Sequence, residues 1–110
     1  MKTPYPGFID KLPEADIPFE GVYARLLQGH EQQVAFFELP EGFAIPLHSH
    51  CAQWGLVVSG ELELTISGDK RLYVAGDEYY IEDGEVHEAL ALTRVRALDF
   101  FNDPKRYKVK

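Results

Sequence analysis

Cysteine is almost absent from this chain: its 110 residues contain one, Cys51, so no internal disulfide forms and nothing calls for an oxidising compartment. Long apolar runs are absent too. Prolines interrupt the opening MKTPYPGFIDKLPEAD, and no stretch there reaches the length of a signal-peptide core or a membrane span, so a cytoplasmic protein is expected. Basic residues are in deficit, 11 against 18 acidic ones, and the formal charge of −7 makes a phosphate backbone or an anionic membrane surface an unfavourable partner. Neither nucleic acid nor membrane is expected as a partner. Helical periodicity of useful length, a solenoid repeat and low-complexity tracts are also missing.

What remains is the composition of one small globular domain, 45% hydrophobic and 13% aromatic, long enough for a single core. Residues 1–18 carry Pro4, Pro6, Pro13 and Pro18, each of which fixes φ and removes a donor. They read as an arm lying across the domain or reaching a partner, with at most a short helical turn around Ile9 to Leu12. The domain proper is expected over residues 19–110, as strands. Residues 21–28, GVYARLLQ, and 32–39, QQVAFFEL, form a hairpin around Gly29. Residues 61–66, ELELTI, alternate strictly, which turns Leu62, Leu64 and Ile66 towards the core. Further strands are expected at residues 71–74, 78–81, 86–92 and 94–101, separated by turns rich in Gly, Asp and Ser. Strands recurring about every eight to twelve residues indicate an all-β sandwich or barrel.

Residues 42–60, GFAIPLHSHCAQWGLVVSG, concentrate the chemistry. His48 and His50 are separated by one residue, and on an extended chain residues i and i+2 point to one face. Gln53 offers a side-chain oxygen beside them, and His87 is the only later histidine able to complete a cluster. His30 falls in the hairpin turn and reads as a surface residue; Cys51 alternates away from the histidine face as an inert thiol. Tyr79 and Tyr80, Phe36 and Phe37, and Phe100 and Phe101 are adjacent pairs, of which one member must face inward. An inward tyrosine near the site, Tyr79 or Tyr80, is a candidate acid or base. The outward aromatics, with Trp54, point to a subunit interface and a homodimer. Arg94 and Arg96 alternate together and read as a solvated strand face, with a carboxylate-binding role as the other reading.

The spacing of these residues resembles the cupin family. Gly42, then FAIPL, then His48 and His50, with Gly60 seven positions after Gln53, follow the family's first histidine motif, and Gln53 stands where a glutamate is usual. Gly76, Gly84 and His87 follow the second motif, with Glu82 in place of its proline and Ala91 in place of its asparagine. The gap between His50 and Gln53 is one residue shorter than usual.

The resemblance implies a single-domain double-stranded β-helix, the jelly-roll cupin barrel, with His48, His50 and His87 on one divalent transition metal. Gln53 would be a weak fourth ligand or an orienting group. Three imidazoles favour zinc, iron, nickel, cobalt or copper, with manganese also compatible, over the oxygen-seeking magnesium and calcium. Two function classes follow. One is a metal-dependent enzyme of dioxygenase or isomerase type acting on a small oxygenated substrate; the other is a metal- and small-ligand-binding or sensing module without turnover. No serine, lysine or cysteine stands in a recognisable nucleophile motif.

Overall fold

The computed structural model describes residues 5–110. Strands dominate in the order β1 (Tyr23–Gln28), β2 (Gln33–Leu39), β3 (Ala44–His48), β4 (Gln53–Ser59), β5 (Glu61–Ile66), β6 (Asp69–Val74), β7 (Glu78–Ile81), β8 (His87–Ala91) and β9 (Val95–Phe101). Each expected strand is present, with ends displaced by a residue or two. The one helical turn, α1 (Gly7–Asp10), begins two residues before the expected position, directly after Pro6, whose fixed φ suits a helix entry.

The strands form two antiparallel sheets, one ordered β1-β2-β9-β4-β7 and the other β3-β8-β5-β6. Alternation decides what lies between them. Leu62 and Leu64 of β5 and Ala89 and Ala91 of β8 face Leu39, Val57, Ile81, Val95 and Ala97 of the other sheet, giving one buried apolar cluster. Ile66 packs against its margin. Ala91, at the usual asparagine position of the second motif, is thus a core residue. A second cluster, of Ala15, Ala24, Leu26, Ala35 and Phe101, closes the β1 end.

Two adjacent cross-strand rows run across the whole five-stranded sheet. The inward row runs Leu26, Ala35, Asp99, Gly55, Tyr79, and the outward row beside it runs Leu27, Val34, Phe100, Trp54, Tyr80. Small residues therefore flank Asp99 inside, while large apolar ones line up outside. Residues of the proline-rich arm extend this sheet: Ala15 N–H donates to Ala24 O at 2.9 Å and Asp16 N–H to Lys108 O at 2.8 Å.

Candidate metal centre

The histidines arrive from two strands and a loop. His48 ends β3 and is registered with His87 at the start of β8. The register slips between Ile45 and His48, where Pro46 has no N–H to give to the ladder. That slip ends the strand, so His50 lies in the following loop instead of two places along a continuous strand. The rings converge all the same. Ring centroids lie 4.2 Å apart for His48 and His87, 4.8 Å for His50 and His87, and 5.1 Å for His48 and His50. One ring nitrogen from each falls within 4.8 Å of the others. Among the described residues this is the group of titratable side chains arranged to hold an ion, and His30, exposed in its turn, is not part of it.

Backbone carbonyls fix which nitrogens are free. His48 Nδ1 lies 2.8 Å from Pro46 O, His50 Nδ1 2.8 Å from Cys51 O, and His87 Nδ1 2.9 Å from Glu85 O. A carbonyl only accepts, so each Nδ1 carries the proton and donates, leaving each Nε2 lone pair available. Such anchoring orients metal-bound imidazoles. Burial, followed by the positive charge of Arg106, holds His50 down at about 4, and burial also lowers His87. Both stay neutral at pH 7, the state that binds a cation.

A buried polar network lines the same cavity as the histidines. Asp99 Oδ1 accepts from Tyr79 Oη at 2.8 Å and from Gln53 Nε2 at 2.9 Å. Gln53 is thereby oriented: its amide nitrogen faces Asp99, and its Oε1 is buried with no donor in reach. An acceptor left without a donor is costly unless a cation or a ligand proton meets it. The donor set of three imidazoles and one orphaned amide oxygen suits a transition metal with coordination positions left for water or substrate. Burial raises Asp99 to about 6, against the opposing pull of its two hydrogen bonds, and burial together with the Asp99 charge raises Tyr79 well above the usual phenol range.

These groups open on a cavity of about 330 Å³, walled largely by apolar residues including Val22, Phe43 and Leu62. Tyr79 lines it, whereas Tyr80 points outward and is 58% exposed, so Tyr79 is the inward member of the pair. Cys51 is half-buried at the edge of the β1-end cluster, and burial raises its thiol. Arg94 and Arg96 lie away from the cavity: Arg94 pairs with buried Glu38, and Arg96 donates to Ser59 Oγ at 3.1 Å and lies over the Tyr5 ring. Among the polar cavity residues, sequence reasoning passed over Asp16, Asp99, Arg106 and Tyr107. Asp99 had a signal, a carboxylate on the same alternating face as Val95, Ala97 and Phe101. Arg106, in a loop beyond Pro104, had none.

Comparison with known proteins agrees with this architecture. No curated protein matches the sequence. An RmlC-like cupin from Shewanella frigidimarina is 25% identical with a TM-score of 0.78, over 88% of this chain and 87% of that one. KdgF from Halomonas sp. is 24% identical with a TM-score of 0.75, over 84% of this chain and 86% of that one. Ectoine synthase from P. lautus, 18% identical, superposes with a TM-score of 0.75 over 94% of this chain and 78% of its own. The sequence pattern of the cupin domain matches residues 35–101, from β2 through β9 and across all three clustered histidines, and the chain therefore belongs to the cupin family.

Proposed function

We propose that this cupin binds one divalent transition metal through His48, His50 and His87, with the Gln53 oxygen as a weak fourth donor. On this reading it acts as a metal-dependent enzyme of dioxygenase or isomerase type on a small oxygenated substrate. The observation that carries it is the shared anchoring of the three Nδ1 atoms, which frees the Nε2 lone pairs of three clustered histidines in a cavity that Gln53, with its orphaned oxygen, also lines. When bound, the ion would act as a Lewis acid on a substrate oxygen. The chain's own residues supply the rest. Apolar walls exclude water, and Asp99 and Tyr79 hold Gln53 in one orientation. Tyr79 keeps its proton at neutral pH and can give it only by releasing Asp99.

A second reading, a binding or sensing module without turnover, is favoured by the amide at position 53, which removes an anionic group able to take a proton. Elemental analysis of the purified protein, followed by turnover and oxygen-uptake assays on diphenols, diketones and sugar acids, separates the readings. About one metal per chain with turnover supports the enzyme. Metal without turnover across the panel, with the native ion restored, supports the module, and absence of metal sinks both. Gln53→Glu tests the fourth donor. A carboxylate there faces that of Asp99, so tighter metal binding is expected chiefly when Asp99→Asn removes the repulsion. Unaltered affinity in both backgrounds would mean that Gln53 does not coordinate.

A cytoplasmic location and a homodimer complete the proposal. Among the described residues no helix is long and apolar enough to cross a membrane. The dimer rests on the outward row, where Leu27 is 50%, Phe100 44% and Trp54 36% exposed beside Tyr80. Such an apolar ribbon across a whole sheet is what an interface covers. Light scattering on the eluting protein is expected to give twice the chain mass, and Trp54→Lys to give the monomer. A monomeric wild type would refute the assignment.

A further inference from the structure

The loop after β9 is built with unusual care for a surface connection. Asn102 N–H donates to Ala52 O at 2.9 Å, and Asp103 Oδ1 accepts from Lys105 N–H at 2.8 Å. Gln33, buried at the end of β2, then clamps the loop: its Oε1 accepts from Tyr107 N–H at 3.0 Å, and its Nε2 donates to Tyr107 O at 3.0 Å. Gln28 Nε2 adds a bond of 2.6 Å to Pro104 O. A fully buried glutamine spent on a loop backbone holds that loop in one conformation.

What it holds in place is Arg106. The guanidinium carbon sits 4.3 Å from the Tyr107 ring centroid and 5.4 Å from that of Phe101. Phe101 also carries His50 against its ring, with centroids 5.6 Å apart, so the arginine and the histidine cluster share one aromatic platform. Arg106 lines the same cavity as His48, His50 and His87. It takes part in none of the ion pairs found among the described residues, and its Nε is buried with no acceptor. The two rings stand at 79° to each other and hold the guanidinium by cation–π contact, and no acceptor takes up its buried Nε–H. The guanidinium edge is a planar fork matched to a carboxylate.

We propose that Arg106 anchors the carboxylate of a small organic acid whose second oxygen reaches the three-histidine centre. The inference deepens the metal-centre reading, and it rests on that reading only for the destination of the second oxygen. A cavity of about 330 Å³ with mostly apolar walls has room for a compact aromatic or branched body carrying the two oxygens. The substrate class is thus a hydroxy- or oxo-carboxylate with an apolar body. A neutral diketone or diphenol would leave the guanidinium edge unpaired. Arg106 is a specificity-determining residue on this account. A purely structural role, supporting the ring stack, would give no preference for an anion.

Calorimetric titration with salicylate and mandelate, each against its own carboxamide, tests this on protein as purified and again after saturation with zinc, with metal content measured in parallel. The acids are expected to bind about ten- to a hundredfold more tightly than the amides, the range of a hydrogen bond to a charged group. Arg106→Gln is expected to bring that ratio to about one while metal content stays at the wild-type level. Arg106→Lys, which keeps the charge without the fork, is expected to lose most of the ratio and serves if Arg106→Gln does not fold. Equal binding of acid and amide by the wild type, no binding of either acid, or a ratio that survives both substitutions overturns the proposal. A protein that takes up no metal yet shows the Arg106-dependent ratio would overturn the metal reading and leave the carboxylate anchor standing.

Discussion

His87→Ala is expected to abolish metal binding, and the effect should be the largest of any single side-chain truncation at the site. His87 is the most buried of the three histidines, at 5% exposure, and its ring lies closest to another, that of His48. Two strands position it, because β8 pairs with β3 at His48 and with β5 at Ile66. Removing a group that merely orients a ligand weakens metal binding about 10–100-fold, so loss of one of three imidazoles should exceed about a hundredfold. Elemental analysis should fall from about one ion per chain to near none, with the β-sheet circular dichroism unchanged. Heat denaturation gives a second readout. An ion at a hundred times its dissociation constant stabilises the fold by about 2.7 kcal/mol, or roughly 10 °C in a domain of this size. That increment should vanish in His87→Ala and persist in His30→Ala, whose histidine is exposed and outside the cluster. Unchanged metal content in His87→Ala would sink the site.

The cluster was legible from sequence because strand periodicity and two spaced motifs point to the same side chains. The approach of His50 was less so. The i, i+2 rule assumes a continuous strand, and Pro46 breaks the pairing register before His48, so His50 joins the cluster from a loop. Gln53 could be located by counting, but its meaning could not. Only the folded chain shows that its amide nitrogen is committed to Asp99, a carboxylate 46 positions later brought alongside by the pairing of β4 with β9. The carboxylate missing from the first motif has in effect been replaced by an amide that is itself held by a carboxylate. The arginines show a different limit. Arg94 and Arg96 announce themselves by alternation, yet they serve the outer face of the sheet. Arg106 faces the cavity through a loop geometry that no periodicity encodes, set by glutamines more than 70 positions away in sequence.

Gly55→Ala is expected to be the most disruptive substitution that touches none of the proposed ligands. Gly55 stands between Tyr79 and Asp99 in the inward row, and the phenol ring of Tyr79 crosses directly over its Cα to reach Asp99. A Cβ at position 55 would lie 2.1 Å from the Tyr79 Cζ and 2.4 Å from its hydroxyl oxygen, far inside contact distance. The ring is buried and packs edge-on against Tyr73 with centroids 5.6 Å apart, so it can move only towards the cavity and away from Asp99. Two penalties therefore combine: overpacking, about 1–3 kcal/mol, and loss of a hydrogen bond to a buried carboxylate, about 1.5–3 kcal/mol. A destabilisation of about 3–5 kcal/mol follows, read as a lowered urea midpoint at unchanged slope. Tyr79→Phe separates the two contributions, since it keeps the ring and deletes only the bond, so it should lose about half as much. With one of its two donors gone, Asp99 is also left to Gln53 alone. If the amide orientation depends on that network, Gly55→Ala should weaken metal binding more than Tyr79→Phe does, because the displaced ring moves towards the cavity as well as releasing Asp99. A Gly55→Ala protein of wild-type stability would mean that the ring has another place to go, and the close approach of Tyr79 to Asp99 would then not be a requirement of the fold.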